Sequence, residues 1–534
     1  MAKITIDLSG IGGLGPRFYG EKQRSTRINM KRIGKDTMYA DGTVNPIREL
    51  GYLGPASNTT GAIASGPSAV IGSTITDLIT VPGTPKGYFF ERGTKLHELN
   101  SFTTVTLNTG DDFAHTISGA TGTDLEIYTV NNVRKMFYSY QKSGGGNIGI
   151  WDFASTFDDD WLENAAASGF KTGATADVRM IVADNGFMYI LDGASVHKID
   201  GGATGGANGT ATQNVLIFPS PFQCVDAIDL RGKMWIATIK STTSIYQATA
   251  SLGTVSNFCG VYIWDRKSTQ VNFTDFIPID AVREIRSIFV FGGVPHCFTI
   301  SNANYTQLRR WNGTEFKVVR ELPRNAFPEF HDSIHVAEEV VYWFGYDGKH
   351  YAYGKSDPLL DPAVYRIGDL TSHVTAEKTF TYGGAILGAE IADLQFITSI
   401  VDSGPNYLLK RWYPHSNTAI AAFPHTGNFY SLVKSIPPMS TVKSITLVWP
   451  KTASSASSTT ELTAKLYFNG SATSWGSTTV TRNDGREGYK YIKVGERYVH
   501  SIQIELEYNP SSGLSDTNTI HPQYALIEYN TPKT

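Results

Sequence analysis

The sequence is poor in the features that mark disulfide-stapled, membrane-spanning or helical proteins. Cysteine occurs three times in 534 residues, at Cys224, Cys259 and Cys297. So sparse and odd a set excludes a disulfide framework and reads as buried reduced thiols. No run of about 18 apolar residues occurs, so no membrane-spanning helix and no membrane partner are expected. The opening stretch MAKITIDLSG has no apolar signal core, which implies synthesis in a cytosol without a standard export signal. An excess of one charge is missing too. Lys+Arg 46 against Asp+Glu 49 leave a net charge of −3, with no global pull toward nucleic acid or anionic lipid. Methionine (8 residues) and long charged helical runs are scarce, which argues against a helical protein.

What is abundant points one way. Tyrosine and phenylalanine at 27 each, with 52 glycines, supply strands and turns, and 41% hydrophobic content with 18% charge describes a folded chain. The composition is all-β, and the length implies two or three domains.

The stretch Met180–Asp200 (MIVADNGFMYILDGASVHKID) organises the rest. It reads as three short strands joined by hairpins at Asn185-Gly186 and Asp192-Gly193, the first pair expected to supply two positive-φ residues. Such a unit cannot bury both faces alone. Its middle strand recurs as Tyr88–Phe90, Phe137–Tyr140, Met188–Leu191, Met234–Ala237, Pro295–Phe298, Val341–Phe344 and Ile397–Ile400. Differences between successive first residues are 49, 51, 46, 61, 46 and 56, a propeller period lengthened by loop insertions. Four of the strands that follow end in tryptophan, at Trp151, Trp264, Trp311 and Trp412, where a large ring suits packing between neighbouring units. The reading is a β-propeller of about seven blades, with six to eight in range, over residues 61–425. Closure is expected from the segment near Ile47–Leu53 or from the strand after Phe380.

The ends differ from this middle. Residues 1–60 form an extended Gly-rich basic arm. Gly10-Ile-Gly12-Gly-Leu-Gly15 matches the dinucleotide fingerprint in letters, but Pro16 and the stripeless Arg17–Arg27 deny it the helix that the fingerprint needs. Seven basic residues follow against the single acid Glu21: Arg17, Lys22, Arg24, Arg27, Lys31, Arg32 and Lys35. They form either a solvated tail or an assembly arm that docks on an acidic neighbour or faces DNA. Residues 426–534 alternate in five or more strands, Ser444–Trp449 (SITLVW), Glu461–Phe468 (ELTAKLYF), Lys490–Val494 (KYIKV), Tyr498–Tyr508 (YVHSIQIELEY) and Tyr524–Tyr529 (YALIEY), and read as a β-sandwich or jelly-roll-like domain.

Candidate chemistry is thin. His331-Asp332-Ser-Ile-His335 resembles a zinc motif, but that motif needs a helix, and the flanks here favour strand. Asp158-Asp159-Asp160 reads as an exposed acidic turn, and Asp159–Ala167 as the best helix candidate in the middle region. Asp226, Asp229, Glu284 and Asp393 lie at unit starts, where a glycosidase would need two carboxylates set about 5–10 Å apart. No nucleophile elbow or phosphate loop is present. No catalytic, cofactor or metal residue is assigned, and the chain is read as no enzyme.

The basic arm (Gly10–Gly15, Arg17–Lys35), degenerate units such as 285–311 (IRSIFVFGGVPHCFTISNANYTQLRRW) and the C-terminal module together resemble tail proteins of bacteriophages. The resemblance is strongest to the propeller-containing nozzle proteins of short-tailed phages, which are longer than this chain. It covers most of the chain and is one of architecture rather than of a diagnostic motif. It implies a structural virion protein of the nozzle or tail-hub type, made in the host cytoplasm and located in the tail. Its partners would be copies of itself in a ring, usually sixfold, a tail adaptor, and DNA in transient non-specific contact. Two other classes compete: a carbohydrate-active or carbohydrate-binding propeller, such as a virion-borne depolymerase or a glycosidase or lyase, and a scaffold of WD-repeat type. Trp151-Asp152 and Trp264-Asp265 match the WD dipeptide without its Gly-His partner.

Overall fold

Alternating, β-branched and aromatic segments bounded by turn residues leave the chain little choice but antiparallel sheets. The computed structural model is nearly all strand, and the six-residue Arg482–Glu487 is its α-helix among the described residues. Outside the description lie 9–10, 15–37, 41–57, 63–69, 72–74, 82–86, 92–94, 100–113, 163–177, 200–210, 241–258, 268–275, 355–362, 370–382, 386–395, 402–406, 414–426, 452–459 and 509–519, with a few gaps of one to four residues. All seven basic arm residues fall in the second of these segments.

Six consecutive four-stranded antiparallel sheets run from Ile75 to Asp369, each a meander in sequence order. A seventh holds Gly383–Ala385, Phe396–Val401 and Tyr407–Tyr413. Its last strand is completed from the other end of the chain, by Asn58–Ala62 and Val70–Ile71. The seventh sheet is thus completed from the N-terminal side, a few residues beyond the expected Ile47–Leu53, which lies outside the described residues. Contacts link the first strands of sheets one to five in order, and Gly383–Ala385 touches both the sixth sheet and Ile75–Thr80 of the first.

Hairpin chemistry departs from expectation in one instructive place. Gly186 has φ +78°, but Asn185 stays in the ordinary region, so the turn is not the two-residue type. Instead, Ala183 N–H donates to Phe187 O and Gly186 N–H donates to Ala183 O, a three-residue loop with glycine in the left-handed position. The Asn185 side chain accepts from Phe187 N–H, the Asx role that asparagine often takes.

Each of the five interfaces from the first small sheet to the sixth is a separate hydrophobic core. Three of the recurring tryptophans sit there, and the side chain of Trp412 lies outside the description. Trp151 meets Tyr88 edge-on at 5.2 Å, Trp264 meets Tyr189 at 5.5 Å, and Trp311 meets Trp235 at 5.5 Å. In each pair a third-strand ring packs on a second-strand ring of the preceding sheet. Such pairs contribute about 0.5–1.5 kcal/mol each beyond area burial.

A buried carboxylate fastens several of the same interfaces. Asp77 Oδ2 accepts from Leu125 N–H at 2.6 Å, Asp124 Oδ2 from Met180 N–H at 2.5 Å, and Asp226 Oδ2 from Ile288 N–H at 2.7 Å. All three acids sit where the register of a first strand slips, between Ile75 and Asp77, Gly122 and Asp124, and Cys224 and Asp226. A bulge re-aims its side chain, and here it turns the carboxylate along the row of sheets. The residues that precede donors Met180 and Ile288 are Arg179 and Ser287, so the bond does not repeat at every sheet.

The C-terminal strands belong to one nine-stranded sheet with the N-terminus. Its order is Ala2–Asp7, Tyr524–Asn530, Lys434–Val448, Tyr489–Tyr508, Gly427–Tyr430, Met38–Ala40 and Ile11–Leu14, with Thr460–Phe468 and Gly476–Thr481 branching from Tyr489–Tyr508. Its core residues cluster with Val340, Tyr342, Phe344 and Ala352 of the sixth small sheet. Two segments read as separate strands, Lys490–Val494 and Tyr498–Tyr508, are one strand of 20 residues. Positive φ at Gly495 and Tyr498 marks the irregularity within it.

Replacing Asp124 with alanine strands the buried Met180 N–H and leaves Arg179, whose Nη1 lies 3.8 Å from Asp124 Oδ1, without that carboxylate. We expect a loss of about 3–5 kcal/mol in urea unfolding, and a smaller loss for Asp124→Asn, which keeps an acceptor.

His296 provides a pH test of the same packing. It is buried among Phe289, Phe291 and Tyr353, and its Nδ1 donates to Val294 O at 2.9 Å. Burial pushes its pKa down from 6.5 to about 4. The folded state therefore holds it neutral while the unfolded chain protonates. The stability involved is complete above pH 6.5 and is lost as pH falls toward 4, by roughly 3 kcal/mol in all. His296→Gln should flatten that part of the curve, measured as urea midpoints at pH 7 and pH 4.5. Asp159 and Asp484, whose carboxyls sit below 3.8, act only at lower pH.

Candidate functional site

The tightest polar cluster with solvent access lies where the outer strands of the first two sheets meet. Ala114–Thr116 brings His115 and Phe157–Leu162 brings Asp159, while Val133–Lys142 supplies Tyr138 and Tyr140. Gly149 makes the arrangement feasible. It pairs with Tyr138 in register, and a Cβ there would sit 2.2 Å from the tyrosine ring. The ring lies over the glycine and reaches across the strand to Asp159.

Three groups converge on that aspartate. His115 Nε2 and Tyr138 Oη bond the same oxygen, Oδ1, at 2.5 and 2.6 Å, and Tyr140 Oη donates to the Asp159 backbone carbonyl at 2.5 Å. Phe157 stacks flat on the imidazole at 3.9 Å. Desolvation alone would raise the Asp159 carboxyl, but the bonds from His115 and Tyr138 and the charge of Lys142 outweigh it and hold the pKa below 3.8. Burial first, and then the bond to Asp159, push the Tyr138 phenol far above 10. A His–Asp pair can orient a general base, yet no serine, threonine or cysteine side chain bonds His115 among the described residues. The geometry is that of a charge-assisted clamp between two sheets.

This corrects two expectations. Asp158–Asp160 is neither an exposed turn nor the start of a helix: Phe157–Leu162 is a strand, and the phenol and imidazole partners of Asp159 draw it into the sheet. The signal that could have revealed it is the pair of aromatics flanking the acidic run, Phe157 and Trp161, both of which find aromatic partners.

The acids considered for glycosidic chemistry are occupied. Asp226 is 2% exposed and bonds Ile288 N–H and its own neighbour Ala227 N–H. Asp229 accepts from Asp184 N–H and from Arg266, which also bridges to Asp184 at 2.6 Å. Arg266 draws the Asp184 carboxyl below 3.8. Glu284 pairs with Arg286 at 2.7 Å. Asp393 lies outside the described residues, as do His331 and Asp332. His335 is on the strand Ile334–Ala337 rather than on a helix. Ile11–Leu14, within the Gly-rich stretch, is likewise a strand that pairs in parallel with Met38–Ala40.

No group of three or more His, Cys, Asp or Glu able to hold a metal occurs among the described residues. No described helix is long and apolar enough to cross a membrane. The cysteines are free and buried, with burial pushing Cys259 and Cys297 up to about 12 and Cys224 higher still. Thiols so raised are poor nucleophiles at neutral pH.

No protein-family model and no curated protein matches the chain. Among solved structures it is similar to the computationally designed Ika8 protein, at TM-score 0.35 and 10% identity over 64% of this chain and 97% of that one. It is also similar to Chaetomium thermophilum Raptor, at TM-score 0.41 and 10% identity over 67% of this chain and 29% of that one. At such scores neither likeness bears on function.

Gly149→Ala is expected to drive the Tyr138 ring off Asp159. Overpacking of this kind costs about 1–3 kcal/mol. Thermal unfolding should show that loss, and adding Tyr138→Leu should recover part of it.

Proposed function

We propose that the chain is a structural protein of a bacteriophage tail, of the nozzle or tail-hub type, and not an enzyme. On this reading the seven small sheets are the blades of a β-propeller, closed by the N-terminal strand Asn58–Ala62. The nine-stranded sheet is a sandwich-like module joined to it. Copies of the chain form a ring beneath an adaptor, and DNA passes through without specific contact. Arg17, Lys22, Arg24, Arg27, Lys31, Arg32 and Lys35 contact neighbouring subunits on this reading.

The observation that carries the proposal is how the acidic residues are used. Asp77, Asp124 and Asp226 bond backbone N–H groups of the next sheet, while Asp229 and Glu284 pair with arginines. An enzyme acting on glycosidic bonds needs two carboxylates open to substrate. Here the described acids of this set are engaged in structural bonds instead. That use suits a part whose task is shape, and it weighs against the depolymerase alternative.

Immunogold electron microscopy on phage particles from the source culture, with antibody to the purified protein, tests this. Label clustered at the tail is the expected outcome. Particles without label would sink the proposal, and a screen of polysaccharides for cleavage would come next.

A further inference from the structure

Alternation along the strands of the nine-stranded sheet gives it one buried and one outward face. Ile445, Leu447, Ala525 and Ile527 point into the core. The register places Tyr489, Val448 and Tyr524 side by side on the other face, with Tyr491, Thr446 and Leu526 as the next row. Tyr489, Tyr491 and Tyr524 are 50%, 57% and 38% exposed, a concentration of open rings that a packing role does not explain. Tyr489 and Tyr491 stand about 7 Å apart along one strand, and Tyr524 is about 10 Å from Tyr489 across two. We propose that this face is a platform for a neutral glycan.

Three features select that occupant. First, the charges around the rings are of both signs and balance: Asp7 lies beside Tyr524, and the adjoining row holds Lys493, Glu528 and Lys3, of which Lys3 pairs with Glu528 at 2.7 Å while Ser444 Oγ donates to the same carboxylate. The Lys3 bond draws the Glu528 carboxyl below 4.5. A platform whose neighbouring charges cancel does not select a strongly charged ligand. Second, two rows on three strands span roughly 15 Å each way, a few hundred Å², well short of the ~800 Å² per partner of a stable protein interface. Third, tyrosine offers an apolar face and a hydroxyl tip together. A pyranose presents the complement, C–H groups on its faces and hydroxyls around its rim. Threonines in register, Thr446 beside Tyr491 and Thr5 beside Leu526, border the rings with hydrogen-bonding groups. The proposal concerns binding alone and does not rest on the virion reading.

The test is affinity electrophoresis of the full-length protein through gels carrying dextran, xyloglucan, galactomannan or mixed-linkage β-glucan, followed by calorimetry on any that retards it. We expect retardation by at least one, with binding about tenfold weaker in Tyr491→Ala and retained in Tyr491→Phe. Tyr491 is exposed, so the thermal midpoint of each variant should match the parent. Retardation by none of the four overturns the proposal, as does undiminished binding by Tyr491→Ala. Dimerisation abolished by Tyr491→Ala would give the face to a second copy and overturn it equally.

Discussion

A four-stranded sheet with two apolar faces is unstable by itself, so each small sheet here depends on contact with its neighbours. Hydrophobic burial supplies most of that contact but is indifferent to sliding. The bonds from Asp77, Asp124 and Asp226 to the next sheet are not. A buried carboxylate must find its donor or bear the full cost of desolvation, so each bond fixes one strand's height against the next. The bulge at each acid is what turns the side chain toward its neighbour. At one of the interruptions, between the third and fourth sheets, Arg266 ties the hairpin loops through Asp184 and Asp229 instead.

The same fastening decides what chemistry is open to the molecule. Acids near the starts of sheet-forming units invite a catalytic reading, because that is where a central opening would collect them. Among the described residues, these acids already have bonding partners. Asp226 holds two backbone N–H groups, and the tip acids hold arginine. The cluster with more solvent access, around His115, also spends its aspartate on bridging two sheets. Across the described residues, ionisable groups serve position more than reactivity.

Much of this was legible because the signals are local. The seven middle strands and their successors follow from alternation and turn residues, and three of the four recurring tryptophans pack between sheets. What escaped was non-local. Asp159 looked like part of a solvated acidic run because its partners His115 and Tyr138 lie 44 and 21 residues away. The bulges that aim Asp77 and Asp124 depend on pairing register, which alternation alone does not specify. The break between Val494 and Tyr498 looked like a loop because Gly495 ends the hydrophobic rhythm. The glycine instead takes a positive φ inside a continuing strand. Asn185 misled in the opposite way, since an Asn-Gly pair also suits a longer loop when the asparagine side chain caps it.

The N-terminal segment gains a different physical character from its flanks. A basic stretch read as a free arm lies between Ile11–Leu14 and Met38–Ala40, and these two strands pair with each other in parallel. Ala2–Asp7 is further held against Tyr524–Asn530, and Met38–Ala40 against Gly427–Tyr430. The seven cations lie outside the described residues, and what the structure fixes is the pair of strands that flank them. Closing a loop restricts its reach, and the chain entropy it then surrenders on docking is smaller than for a free tail.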